Sequence, residues 1–265
     1  MKDQPIGVFD SGIGGLTVFK EIMEILPNES LIYLGDTARV PYGTRSKQII
    51  KKFSLELAQF LIKKKVKFLV VSCNTISAVA IPAIKKISPV FVLGVINPAA
   101  KQAAITTRNN KIGVIGTSMT VKSLIYPQKI KKFLPEAKVF TEACPLFVPL
   151  VEEGLIDHFA TWQIAKEYLK NFKSKGIDTL ILGCTHYPLI KEIVRDVVGE
   201  DVIIVDSARP TALELKRILE ANNLLTVKSD PKYEIYVTDA PERVYKIADL
   251  FFGNNLPVKP KKVTL

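Results

Sequence analysis

Disulfides cannot carry this fold. The 265 residues include three cysteines, an odd number far below a disulfide framework, so free thiols in a reducing compartment are expected. Long apolar runs are also absent. No stretch approaches the ~18–20 consecutive apolar residues that a membrane helix needs. The opening residues Lys2-Asp3-Gln4-Pro5 form neither an apolar signal core nor a small-residue cleavage site. A cytoplasmic protein, with no membrane partner, is the expectation. CxxC and HxxxH spacings are missing, which weakens any case for structural zinc. No aromatic-rich nucleic-acid motif interleaves the basic runs. Apolar residues at 48% and charged residues at 24% exclude a disordered or collagen-like chain.

Basic residues are plentiful: 37 against 26 acidic ones, a net charge of +11. That balance suits an anionic partner, either nucleic acid or a small acidic substrate. However, Lys63-Lys64-Lys65 and the lysines at 129, 131 and 132 read as solvated helix faces. The lysines at 259, 261 and 262, beside Pro257 and Pro260, read as a tail. Charge therefore selects no function, and no specific nucleic acid is expected.

Short apolar runs at 6–9, 31–34, 68–71, 90–95, 112–115, 138–140, 179–182 and 202–205 alternate with amphipathic stretches such as 49–64 and 162–172. This is the pattern of an α/β fold with mainly parallel sheets. Continuous apolar strands imply burial on both faces, and ligands are expected beyond the strands' carboxyl ends.

A weak internal repeat is more specific. Ile6-Gly7-Val8-Phe9-Asp10-Ser11 resembles Ile112-Gly113-Val114-Ile115-Gly116-Thr117, and residues 33–36 resemble 139–142 at the same offset. Residues 68–75, ending Cys73-Asn74-Thr75, resemble 179–186, ending Cys184-Thr185-His186. Three matches in one order predict two similar, pseudo-symmetric α/β lobes, 1–97 with 208–265 and 98–207, and an active site in the cleft between them. Crossings near Asn97 and Ser207 would be hinges for closure. A substrate in that cleft would meet one thiol on each face. Inversion of a carbon centre uses such a pair, with one thiolate removing a proton while the opposite thiol supplies another.

Each motif has a plainer reading. Asp10-Ser11-Gly12-Ile13-Gly14-Gly15 joins a strand to a helix expected at 16–25. Its exposed amides suit an anion, but the spacing is not that of a dinucleotide loop, so a carboxylate is the better ligand. Asp10 could equally be a turn-former or cap. A single strand-end cysteine is usually a small buried hydrophobe; two in matching positions are harder to dismiss. His186, two residues from Cys184, would share its face if the chain stays extended, and could tune its ionisation. Cys144, without a counterpart, reads as packing, and His158 as a surface or capping residue. A thiol hydrolase built on Cys184 and His186 would need no Cys73.

The strings FDSGIGGLTV (9–18), YLGDTARVPYG (33–43), CNTISA (73–78), IGTSMTV (115–121), CPLFVPLVEEG (144–154) and LGCTHYPLI (182–190) resemble those of glutamate racemases, in family order. The stretch beyond about 215 carries no such motif. The resemblance implies interconversion of L- and D-glutamate without cofactor or metal, supplying D-glutamate for peptidoglycan, by an enzyme that is commonly a homodimer. By that likeness Cys73 and Cys184 are the acid/base pair, Cys73 acting on D-glutamate and Cys184 on L-glutamate. Asp10 and His186 look like assisting groups. Asp10, Ser11, Tyr42, Gly43, Asn74, Thr75, Thr117, Thr185 and His186 match substrate-contacting positions. Either Glu152 or Glu153 resembles a further assisting carboxylate. Gly35 and Asp36 could orient the Tyr42 loop or merely end a strand, and are left outside the site. The alternatives are a racemase of another amino acid such as aspartate, or a basic interaction protein on the same fold.

Overall fold

The computed structural model describes residues 2–253 and 255–265; Met1 and Asn254, within the expected first lobe, lie outside them. The chain forms two compact units, Met1–Val95 with Ala208–Leu265, and Ile96–Ser207. Among the described residues, the first unit holds six strands: β1 (Ile6–Asp10), β2 (Leu31–Gly35), β3 (Phe68–Val71), β4 (Phe91–Gly94), β9 (Tyr233–Val237) and β10 (Lys261–Lys262). The second holds β5 (Lys111–Gly116), β6 (Lys138–Ala143), β7 (Thr179–Gly183) and β8 (Ile203–Val205). Every paired strand runs parallel to its neighbour.

The strand orders are β10-β9-β2-β1-β3-β4 and β6-β5-β7-β8. The repeat read from sequence is thus realised as one topology used twice: β2-β1-β3-β4 and β6-β5-β7-β8 have the same order. Central strands β1, β2, β3 and β7 are buried along their whole length, as continuous apolar runs demand when helices cover both faces. Edge strand β6 is not. In the first unit the helix Leu16–Ile25 buries Leu16, Val18, Phe19 and Ile22 and packs against the helix Ala208–Ala221. In the second, the helix Phe159–Lys175 buries Ala165, Leu169 and Phe172 over a core that includes Leu180, Leu182 and Cys144.

One expectation needs correction. Lysines 261 and 262 are not a tail; they form β10, pairing with Tyr236 and Val237 of β9. The stretch beyond 215, assigned from sequence to the first lobe, joins the first sheet through β9, which pairs along its length with β2. Its run Tyr233-Glu234-Ile235-Tyr236-Val237, rich in aromatic and β-branched residues, carried a readable strand signal. The units divide between Val95 and Ile96, beside the crossing expected near Asn97, which sits in the first turn of the helix Ile96–Thr106.

A buried ion pair braces the amino end of the first sheet. Lys67 is fully buried, lies 2.5 Å from Glu29 Oε2 and donates to the Leu224 carbonyl at 2.8 Å. Glu29 also accepts from the Thr226 amide at 2.9 Å. Burial of two charges is tolerable only with such close partners.

Candidate active site

In the first unit, the site residues gather at the carboxyl ends of β1, β2 and β3. Asp10 closes β1 and is buried. Its Oδ1 accepts from the Gly12 amide at 2.9 Å and from the Ser11 hydroxyl at 3.3 Å. Asp10 is therefore a turn-former, as its plainer reading held, yet the turn it forms delivers Ser11 to Cys73. The Ser11 Oγ lies 3.3 Å from Cys73 Sγ. Tyr33 of β2 donates to the Gly12 carbonyl at 2.8 Å and pins the turn from below. Gly15 must lack a side chain, because a Cβ there would collide with Ser72 and Asp10. Ser72 in turn donates to the Phe9 carbonyl at 2.8 Å, tying the end of β3 to β1.

Cys73 precedes the short helix Asn74–Val79, which places Asn74 and Thr75 in its buried first turn. Burial pushes the Cys73 thiol up to about 12, and the nearby Asp10 carboxylate pushes the same way; the hydrogen bond from Ser11 only partly offsets them. At neutral pH this thiol keeps its proton. Tyr42 is buried, with its ring 5.7 Å from that of Phe53, and its hydroxyl donates to Asp36. Burial and the Asp36 carboxylate hold its phenol far above the ordinary value. Gly43 follows in a half-buried turn.

In the second unit, Thr117 and Cys184 follow the paired residues Gly116 and Gly183 of adjacent strands β5 and β7. A Cβ on Gly183 would come within 2.6 Å of the Ile115 carbonyl, so only glycine permits this approach. Thr117 caps the helix Ser118–Lys122, accepting from the Thr120 amide at 3.3 Å. Thr185 and His186 are buried. His186 Nδ1 lies 3.8 Å from Cys184 Sγ, and its Nε2 lies 3.1 Å from Glu152 Oε1. The contact with Cys184 was expected from an extended chain, but the chain turns instead: His186 is in the αR region, at the start of the 3-10 turn Tyr187–Ile190. Sequence left open which glutamate assists. Glu152 reaches His186, whereas Glu153 is exposed just beyond the helix Phe147–Glu152.

Burial alone would strip the charge from His186, but hydrogen bonds to Cys184 and Glu152 outweigh it and hold the imidazolium up to about 10. The second unit thus pairs a thiol with a buried cation, whereas the first pairs a thiol with a buried carboxylate. Cys144 packs in the core, its carbonyl accepting from the Tyr187 hydroxyl at 2.8 Å. His158 caps the helix Phe159–Lys175, accepting from the Ala160 amide at 3.1 Å. Among the described residues, no group of three or more His, Cys, Asp or Glu side chains is arranged to hold a metal ion.

Residues 6–214 match the family model described as Asp/Glu/Hydantoin racemase. This chain belongs to that racemase family. It is 47% identical over 252 residues to a glutamate racemase of Geobacter metallireducens, spanning 95% of this chain and 93% of the relative. A crystal structure of a glutamate racemase isoform from Bacillus anthracis matches with a TM-score of 0.96 at 40% identity, covering 100% of this chain and 99% of that one. Another, a glutamate racemase from Francisella tularensis in complex with D-glutamate, matches with a TM-score of 0.93 at 40% identity, covering 100% and 98%. Within a racemase family, two thiols at equivalent strand ends gain a chemical reason.

Proposed function

We propose that this racemase interconverts L- and D-glutamate by proton exchange between two thiols, without pyridoxal phosphate or metal, and so supplies D-glutamate for peptidoglycan. The observation that carries the reading is the equivalence of the cysteines. Cys73 and Cys184 follow β3 and β7, which hold the same place in the matching orders β2-β1-β3-β4 and β6-β5-β7-β8. Their surroundings differ in charge, which suits partners that begin in opposite protonation states.

Cys184, as thiolate beside the His186 imidazolium, takes the α-proton of L-glutamate. Cys73, held as a thiol by burial and by Asp10, delivers a proton to the opposite face and leaves D-glutamate. The reverse direction retraces these steps: Cys73, left as thiolate, takes the α-proton of D-glutamate, and Cys184, now the thiol, donates to the opposite face. The α-proton is weakly acidic, so the carboxylate must be gripped while charge develops. Ser11, Asn74, Thr75, Thr117 and Thr185 supply hydroxyl and amide donors for it, and Tyr42-Gly43 closes around the substrate. A homodimer acting in the cytoplasm is the assembly this reading implies.

Chelator-treated protein incubated with L-glutamate in deuterated water tests it. The expected result is loss of optical activity together with deuterium at the α-carbon, abolished by Cys73→Ala and by Cys184→Ala. Exchange with aspartate but with neither glutamate enantiomer would overturn the substrate assignment. Full racemisation by Cys73→Ala would overturn the two-thiol mechanism.

A further inference from the structure

Asp36 lies outside every role assigned so far, yet it is fully buried immediately after β2. Its two carboxylate oxygens accept from three side chains. Oδ2 takes the Tyr42 hydroxyl and, at 2.6 Å, the Arg39 Nε; Oδ1 takes the Thr238 hydroxyl at 2.9 Å. The Asp36 amide donates to the Asp10 carbonyl at 3.2 Å, joining this turn to the Ser11 turn. Arg39 goes on to pair with Glu56 and lies 4.0 Å over the Phe53 ring, the ring against which Tyr42 packs.

Thr238 follows β9, beyond the residues matched by the family model. Its amide donates to the Gly35 carbonyl at 3.1 Å, and its hydroxyl accepts from the Ala38 amide at 2.9 Å while donating to Asp36. The next residue exchanges two hydrogen bonds with Thr37. The carboxyl end of β9 therefore latches the 36–39 turn from the side opposite β1.

We propose that Asp36 is the positioning residue for the Tyr42–Gly43 loop and that Thr238 holds Asp36 in register, which makes the C-terminal strand a determinant of substrate affinity. The proposal rests on the reading of Tyr42 and Gly43 as glutamate contacts. A buried phenol that loses its acceptor must find another, and the ring and the neighbouring Gly43 backbone then move together. The thiols are held by other turns, so binding suffers before chemistry does.

Kinetics in both directions on the whole chain test this. Asp36→Asn is expected to raise KM about 10- to 100-fold, the worth of a hydrogen bond to a charged group. Its kcat is expected to stay within about threefold of wild type. Thr238→Val, at a half-buried site that keeps its shape if Asp36→Asn fails to fold, is expected to raise KM about three- to tenfold. Thr238→Ser is expected to restore it. In a Tyr42→Phe background Thr238→Val should add nothing, because its effect travels through the lost hydroxyl. A fall in kcat with KM unchanged, or a Thr238→Val effect undiminished by Tyr42→Phe, would overturn the proposal. Wild-type protein inert on both glutamate enantiomers overturns the functional reading and this proposal with it. An active wild type whose KM ignores both substitutions overturns the proposal alone.

Discussion

Glu152→Gln isolates one of the two partners, after Cys184, that hold His186 protonated. At 3.1 Å the bare attraction between carboxylate and imidazolium is about 5 kcal/mol at an effective dielectric constant near 20. That is an upper bound: Glu152 is 22% exposed, so water screens part of it, and Gln keeps an oxygen that accepts from Nε2. What disappears is the difference between a charged and a neutral hydrogen bond, ~1–1.5 kcal/mol. At 1.36 kcal/mol per unit, this lowers His186 from about 10 by about one unit. The chain has two histidines, so nitrogen-15 NMR follows His186 against the exposed His158 without crowding. The raised His186 stabilises the fold fully below its unfolded value near 6.5 and loses that contribution as pH rises through about 10. The variant should accordingly be less stable at neutral pH by ~1 kcal/mol, a deficit that closes above pH 10. The basic limb of kcat/KM for L-glutamate should move down with the imidazolium. An unchanged His186 titration in the variant would refute the argument that Glu152 holds the charge.

Alkaline pH should destabilise the chain through Cys73 as well. Its thiol is raised above the ordinary 9.0 to about 12, so the unfolded state releases this proton first and stability falls as pH climbs from 9 toward 12. Urea midpoints measured from pH 7 to 10.5 should decline, and Cys73→Ser should flatten the part above pH 9; an identical slope in the variant would count against the assignment. Lys67→Met should cost roughly 3–5 kcal/mol by leaving the Glu29 carboxylate buried without its cation. Thermal unfolding reads this directly, and Lys67→Met with Glu29→Leu should recover much of the loss.

The positions of β1 to β8, the α/β class and the duplicated order were legible because apolar runs, spaced turns and recurring strings are local properties of sequence; β9 and β10 were not among the expected strands. Both cysteine turns were legible for the same reason, as were the helix at Leu16–Ile25 and the capping role of His158. Contacts between residues distant in sequence were not. Glu152 and Glu153 are chemically the same, and only the end of the helix Phe147–Glu152 turns one toward His186 and the other outward. Cys184 and His186 were expected to meet along an extended strand; they meet through a turn, because backbone dihedrals after β7 depend on what the 3-10 turn packs against. Thr238 lies 202 residues from Asp36, and nothing in either string names the other. Parallel pairing of β9 with β2 brings them together, and such pairing is set by burial of the whole sheet rather than by local pattern. Sequence thus determined the chemical groups and the strand ends that carry them. Tertiary structure decided which groups touch, and through those contacts which thiol stands beside a carboxylate and which beside a cation.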